Sequence, residues 1–167
     1  MILSEMAGRI GPGYKRSTAI ALLEQARSLT GSELYAADQF QMLARLQIAI
    51  VFARYDAKRG FEMIDPIVDQ FNELSEAAKK LDGFGSTFFV GGELSSQNGN
   101  GLSVIAKPMT IAIGSLSVVD FERAKGVADR ISLPEVKLTA YMSLAQQAIN
   151  PTTNYSPSAA YLNIRNR

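Results

Sequence analysis

Two sets of side chains in this sequence have the type and spacing to do chemistry. Glu62, Asp65, Asp69, Glu73 and Glu76 recur at steps of three and four residues. On a helix that spacing puts all five carboxylates on one side. Such a stripe could hold a hard cation such as calcium, or dock a basic partner. It is also what the solvated back of an amphipathic helix carries, and that plainer reading is favoured. The second set is Arg16, Arg59 and Arg123. They head the stretches Arg16-Ser17-x-x-Ile20-Ala21, Arg59-Gly60-x-x-Met63-Ile64 and Arg123-Ala124-x-x-Val127-Ala128. A guanidinium at each place could bind a carboxylate or a phosphate. Recurrence at one position of a repeat instead favours a structural tie, in which each arginine donates to exposed carbonyls at a neighbouring helix end. The small residues that follow, Ser17, Gly60 and Ala124, suit close helix approach.

The residue types that are missing remove much other chemistry. The 167 residues include no His, no Cys and no Trp. Ser-His-Asp triads, thiol nucleophiles, disulfides, thiolate sites and most transition-metal sites therefore drop out. No cofactor or metal is expected, and an enzyme working with carboxylates or Tyr-Lys pairs alone ranks last among the functional classes. Charge gives no target either. Seventeen basic residues face 16 acidic ones, so there is no nucleic-acid footprint and no basic block for an anionic membrane. The longest strongly apolar run, Leu46 to Ala53, is far too short to span a bilayer.

The elements that must carry these residues read as helices. Ile64, Ile67, Val68, Phe71, Leu74, Ala78 and Leu81 fall on one face of a helix from Ala57 to Leu81, opposite the carboxylates. Pro66 inside it predicts a kink or restart. Asp56 and Asp120 are placed to cap the helices that begin with the Arg59 and Arg123 stretches. A helix from about Lys15 to Leu29 buries Ala19, Leu22, Leu23 and Ala26. The next, from about Glu33 to Tyr55 with Ser32 as its cap, is apolar nearly all round in its second half and is expected to be the most buried. Further helices are expected from Ser103 or Pro108 to Val119, from Phe121 to about Ser132, and from Pro134, a favoured first residue, to about Ile149.

The arginines are 43 and then 64 residues apart, a difference of 21. One stretch of that length, Gly83 to Ser103, reads as a loop: it holds six of the 13 glycines, the apolar triplet Phe88-Phe89-Val90 and the turn signal Asn98-Gly99-Asn100-Gly101. A period of ~43 residues with one insertion falls in the range of stacked helix pairs. The expected fold is all-α: an α-solenoid-like, right-handed stack of antiparallel helix pairs over residues 1–150, with the insertion at 83–103 and a polar tail at 151–167.

The segments Ala53-Arg54-Tyr55-Asp56, Arg59-Gly60-Phe61-Glu62, Phe71-Asn72-Glu73-Leu74, Leu81-Asp82-Gly83-Phe84, Asp120-Phe121-Glu122-Arg123-Ala124 and Leu133-Pro134-Glu135-Val136-Lys137-Leu138 together resemble the C-terminal part of uncharacterised bacterial helical-repeat proteins. The resemblance implies architecture and no activity. Likeness to tetratricopeptide repeats is architectural only, because their aromatic-Leu-Gly-aromatic signature is absent.

Helix-pair stacks mostly bind other molecules. The expected function is a non-catalytic scaffold or protein–protein interaction domain, with self-association included. The alternative is a small-molecule or peptide site beneath the 83–103 loop. The candidate contact residues are Leu3 and Met6, on a short helical stripe with Ile2, Ala7 and Ile10, together with Phe88 and Phe89 of the insertion. Self-packing of those two aromatics within the loop is the plainer reading. Met1 to Ile10 lacks the basic start and long apolar stretch of a signal peptide, which makes the cytoplasm the default location. Its stripe reads as the end of a helix, either cut from a longer array or capping the stack.

Overall fold

The computed structural model describes residues 16–95 and 101–150. Leu3, Met6, the rest of the N-terminal stripe, the Asn98-Gly99 turn and the 151–167 tail lie outside the described residues. Six helices pack together: α1 (Arg16–Leu29), α2 (Gln39–Tyr55), α3 (Ala57–Leu81), α4 (Gly101–Ser117), α5 (Phe121–Asp129) and α6 (Pro134–Ile149). A two-stranded hairpin, β1 (Phe89–Val90) and β2 (Glu93–Leu94), sits between α3 and α4. No helix among the described residues is long and apolar enough to cross a membrane.

Local chemistry explains most of the boundaries. Asp56 and Asp120 accept from the amides of Arg59 and Arg123, as N-caps of α3 and α5. Pro134 opens α6. The helix expected from Glu33 instead begins at Gln39, and its cap is Asp38, not Ser32; the Asp38 carboxylate accepts from Gln41 N at 2.8 Å. Residues 31–38 are held as a loop by side chains from elsewhere. Arg45, buried on α2, donates to the carbonyls of Thr30, Glu33 and Leu34 at 2.9–3.1 Å. Gln70 of α3 grips both the N–H and the C=O of Ala36. These bonds hold carbonyls that a helix there would have used internally.

α3 runs through Pro66 without restarting. Ile64, Ile67 and Val68 are fully buried on both sides of the proline, and their packing offsets the lost backbone bond. Two positions of the expected apolar face are corrected: Leu74 and Leu81 are exposed, at 41% and 56%. Gly60, Phe61, Met63 and Ser75 are buried instead. α4 starts at Gly101, earlier than expected, and carries Pro108 in its interior. α5 ends at Asp129, three residues short of the expected Ser132.

The core has two parts. Leu23 and Ala26 of α1 meet Ile48, Ala49, Val51 and Phe52 of α2 and Met63 of α3 in the smaller. The larger joins α2 to α6 around Phe61, Phe71, Met109, Ile113 and Leu116. α2 is buried nearly all round, as its sequence suggested. α4 is as deeply set, packing against α2, α3, α5 and α6. Two glycines permit the closest approaches. A Cβ on Gly60 would lie 2.7 Å from Leu116 Cδ2 and 3.3 Å from the Ala49 carbonyl, and one on Gly114 would lie 2.2 Å from Ser143 Oγ.

Candidate interaction surface

The carboxylate stripe of α3 is used by the chain itself. Arg130, at the end of α5, reaches Asp65 at 2.8 Å and Asp69 at 2.6 Å. Burial works against the Arg130 charge, but the bonds to Asp69 and Asp65 outweigh it and hold its pKa above the usual arginine value. One turn further along, Asn72 accepts from Ser132 N and donates to Arg130 O, clamping the α5–α6 turn. Glu73 accepts from the Tyr35 hydroxyl, which raises the tyrosine pKa, and Glu76 pairs with Lys79. The stripe is thus less a solvated back than a rail that holds two inter-helix connections. No three acidic side chains among the described residues converge as a metal site would need.

The three arginines each touch a neighbouring element. Arg16 Nε donates to Tyr55 O, at the end of α2. Arg59 pairs with Glu24 of α1 at 2.6 Å, and Arg123 with Asp65 of α3 at 3.5 Å. The Arg123 guanidinium also lies 4.3 Å from the Phe61 ring centre. Arg59 and Arg123 share more than this. Each follows an Asp cap by three residues, and four buried positions correspond after each: Gly60, Met63, Ile64 and Ile67 against Ala124, Val127, Ala128 and Ile131. After Arg16 the pattern is shifted. Ser17 and Ala21 are exposed, while Ala19 and Leu23 are buried.

In the insertion, Gly91 and Gly92 form the hairpin turn, both with positive φ. Asp82 accepts from the amides of Phe88 and Phe89, and Glu135 of α6 accepts from Leu94 N. Phe88 and Phe89 are half-buried against the main core. The exposed aromatic of this loop is Phe84, at 85%.

A shallow cleft of about 180 Å³ lies between α1, α2, α3 and the 31–38 loop, with Arg27, Arg45, Glu33 and Glu62 on its walls. Burial, with the nearby Arg27 charge, lowers the Arg45 pKa. The Arg45 guanidinium is spent on three loop carbonyls, and both signs of charge line the opening, so the cleft shows no chemical preference.

The surface with the clearest character is the outer side of α6. Val136, Ala140 and Leu144 are buried on its inner side. Leu138, Met142, Ala145 and Ile149 lie on the opposite side, with Tyr141 at the edge, and all five are exposed; Leu138, Met142 and Ile149 reach 61%, 64% and 75%. No charged residue occurs from Leu138 to Asn150. The missing charge and the doubled apolar pattern were both present in the sequence as signals of this face. The Tyr141 hydroxyl donates to Asp129 of α5, which also receives Lys125 Nζ at 3.0 Å.

No protein-family model, curated protein or solved structure matches this chain.

Proposed function

We propose that the chain is a non-catalytic helical scaffold whose terminal face, the outer side of α6, docks another helical protein surface. The observation that carries this reading is the apolar, uncharged stripe of α6, directly opposite the side that packs on α4. α2 and α4 cover their corresponding apolar sides with the helices that follow them; α6 has no such cover among the described residues. Contiguous exposed apolar surface rimmed by polar residues marks interaction sites. The same reading takes the helices as stacked antiparallel pairs, α1–α2, α3–α4 and α5–α6, in the manner of an α-solenoid. The order of packing supports it, since α1 packs on α2, α2 on α3 and α4, and α4 on α5 and α6. The shared cap and burial pattern after Arg59 and Arg123 supports it as well.

The test is photo-crosslinking in extract with a benzophenone side chain at Met142 and, in a second variant, at exposed Gln25 of α1. The reading expects one discrete adduct from position 142, abolished by Leu138→Glu, and none of that mass from position 25. Identical smears from both positions, or no adduct at 142, would sink it.

A further inference from the structure

The outer face of α6 points to a specific occupant: we infer that it pairs with the same face of a second copy of this chain, α6 against α6 and antiparallel, about a twofold axis. The inference rests on the interaction reading of α6 and names its partner.

Three observations favour a second copy. The first is charge. A twofold contact sets a surface against itself, so any charge near its centre would meet its own kind at a cost. Residues 138–150 carry none, and such a face can oppose itself freely. Antiparallel pairing also sets the helix dipoles in opposition and brings Lys137, near the start of one α6, towards the carbonyl end of the other.

The second is the other end of the molecule. The exposed residues of α1 are mostly polar, Ser17, Thr18, Gln25 and Ser28 among them, with Ala21 and Leu29 the apolar exceptions. Head-to-tail stacking would set the apolar stripe of α6 on that mostly polar surface and would repeat without closing. Pairing α6 with α6 matches apolar to apolar and closes after two copies.

The third is area. The stripe spans three turns of helix. Taken on both copies with the rim residues Thr139, Gln146 and Lys137, it gives an interface on the order of 1,000 Å², where specific association begins. The expected dimer therefore forms in the micromolar range and dissociates on dilution.

The full chain is tested by sedimentation velocity across a concentration series, before and after Leu138→Glu with Met142→Glu. The expected result is a monomer–dimer shift in the unmodified chain that the double variant loses while keeping its helical circular dichroism. Phe84→Glu, which removes an exposed aromatic elsewhere, should leave the dimer intact. The chain has no cysteine, so a second measurement is independent of those variants. Residues near the centre of an antiparallel contact meet their own counterparts, so Ala145→Cys should cross-link to itself on mild oxidation, and Phe84→Cys should not. A monomer at every concentration overturns the inference, as does a dimer untouched by the double variant or equal cross-linking from both cysteine positions. A dimer that appears only when residues 151–167 are deleted also overturns it, by naming that segment as the occupant. If the chain is monomeric while Met142 still gives its discrete adduct, the scaffold reading stands and only the second copy is lost.

Discussion

Asp129 receives two donors, the Tyr141 hydroxyl and the Lys125 ammonium, and both hold its carboxyl below the usual aspartate range, the tyrosine contributing most. The same bond raises the Tyr141 pKa. A carboxyl depressed in the folded state adds stability above its unfolded value, about 3.9 for aspartate. That contribution disappears as pH falls through the lowered folded value. Carbon-detected NMR titration should place the Asp129 midpoint below that of an ordinary aspartate, and Tyr141→Phe should move it back up. An unchanged midpoint in the variant would mean that the hydroxyl does not donate. The bond also fixes the ring at the edge of the α6 face. Ties of this kind were not legible in the sequence. Arg45, Gln70, Asn72 and Arg130 act on groups that only the folded chain brings near: Asn72 bonds the main chain of residues 58 and 60 positions away. Periodicity tells which side of a helix a residue occupies and says nothing of what arrives there.

At the scale of elements, the sequence was readable where local and tertiary preferences agree. α3 has a strong 3.6-residue period and an Asp cap, and its ends fall where those signals put them. α6 has its proline start. α2 starts later than propensity suggests: Glu33, Leu34, Tyr35 and Ala36 suit a helix well, yet Arg45 and Gln70 bind their main chain in a loop. Tertiary bonds override propensity in that way. The depth of α4 is hard to read because apolar residues lie around most of its circumference and mark no single buried side. Gly60 reports the fit between α2, α3 and α4. Gly60→Ala should destabilise by about 1–3 kcal/mol in urea unfolding, because its new methyl meets Leu116 and the fixed Ala49 carbonyl. Gly126→Ala, at an exposed helical site with open space around it, should stabilise by up to ~1 kcal/mol. Equal effects at the two sites would show that helix propensity, and not packing, sets the response.

Over the whole molecule, two kinds of bond join the helices. α1, α3 and the end of α5 are linked by half-exposed ion pairs, Arg59 with Glu24 and Arg130 with Asp65 and Asp69. Dry contact links all six helices, closest at Gly60 with Leu116 and at Gly114 with Ser143. Added salt weakens the first kind more than the second, because dissolved ions compete for half-exposed charges and have no access to buried apolar contact. Raising the ionic strength should weaken the ties from α1 and α5 to α3, while the core contacts around α2, α4 and α6 keep their spacing. Fluorescence energy transfer between dyes at Ser28 and Lys125 should fall as salt is added, and transfer between dyes at Arg54 and Gln146 should hold steady. Parallel changes in both pairs would mean that the body swells evenly. A drop in the first alone makes the spacing of α1 and α5 an adjustable property of the chain, set by the ions around it.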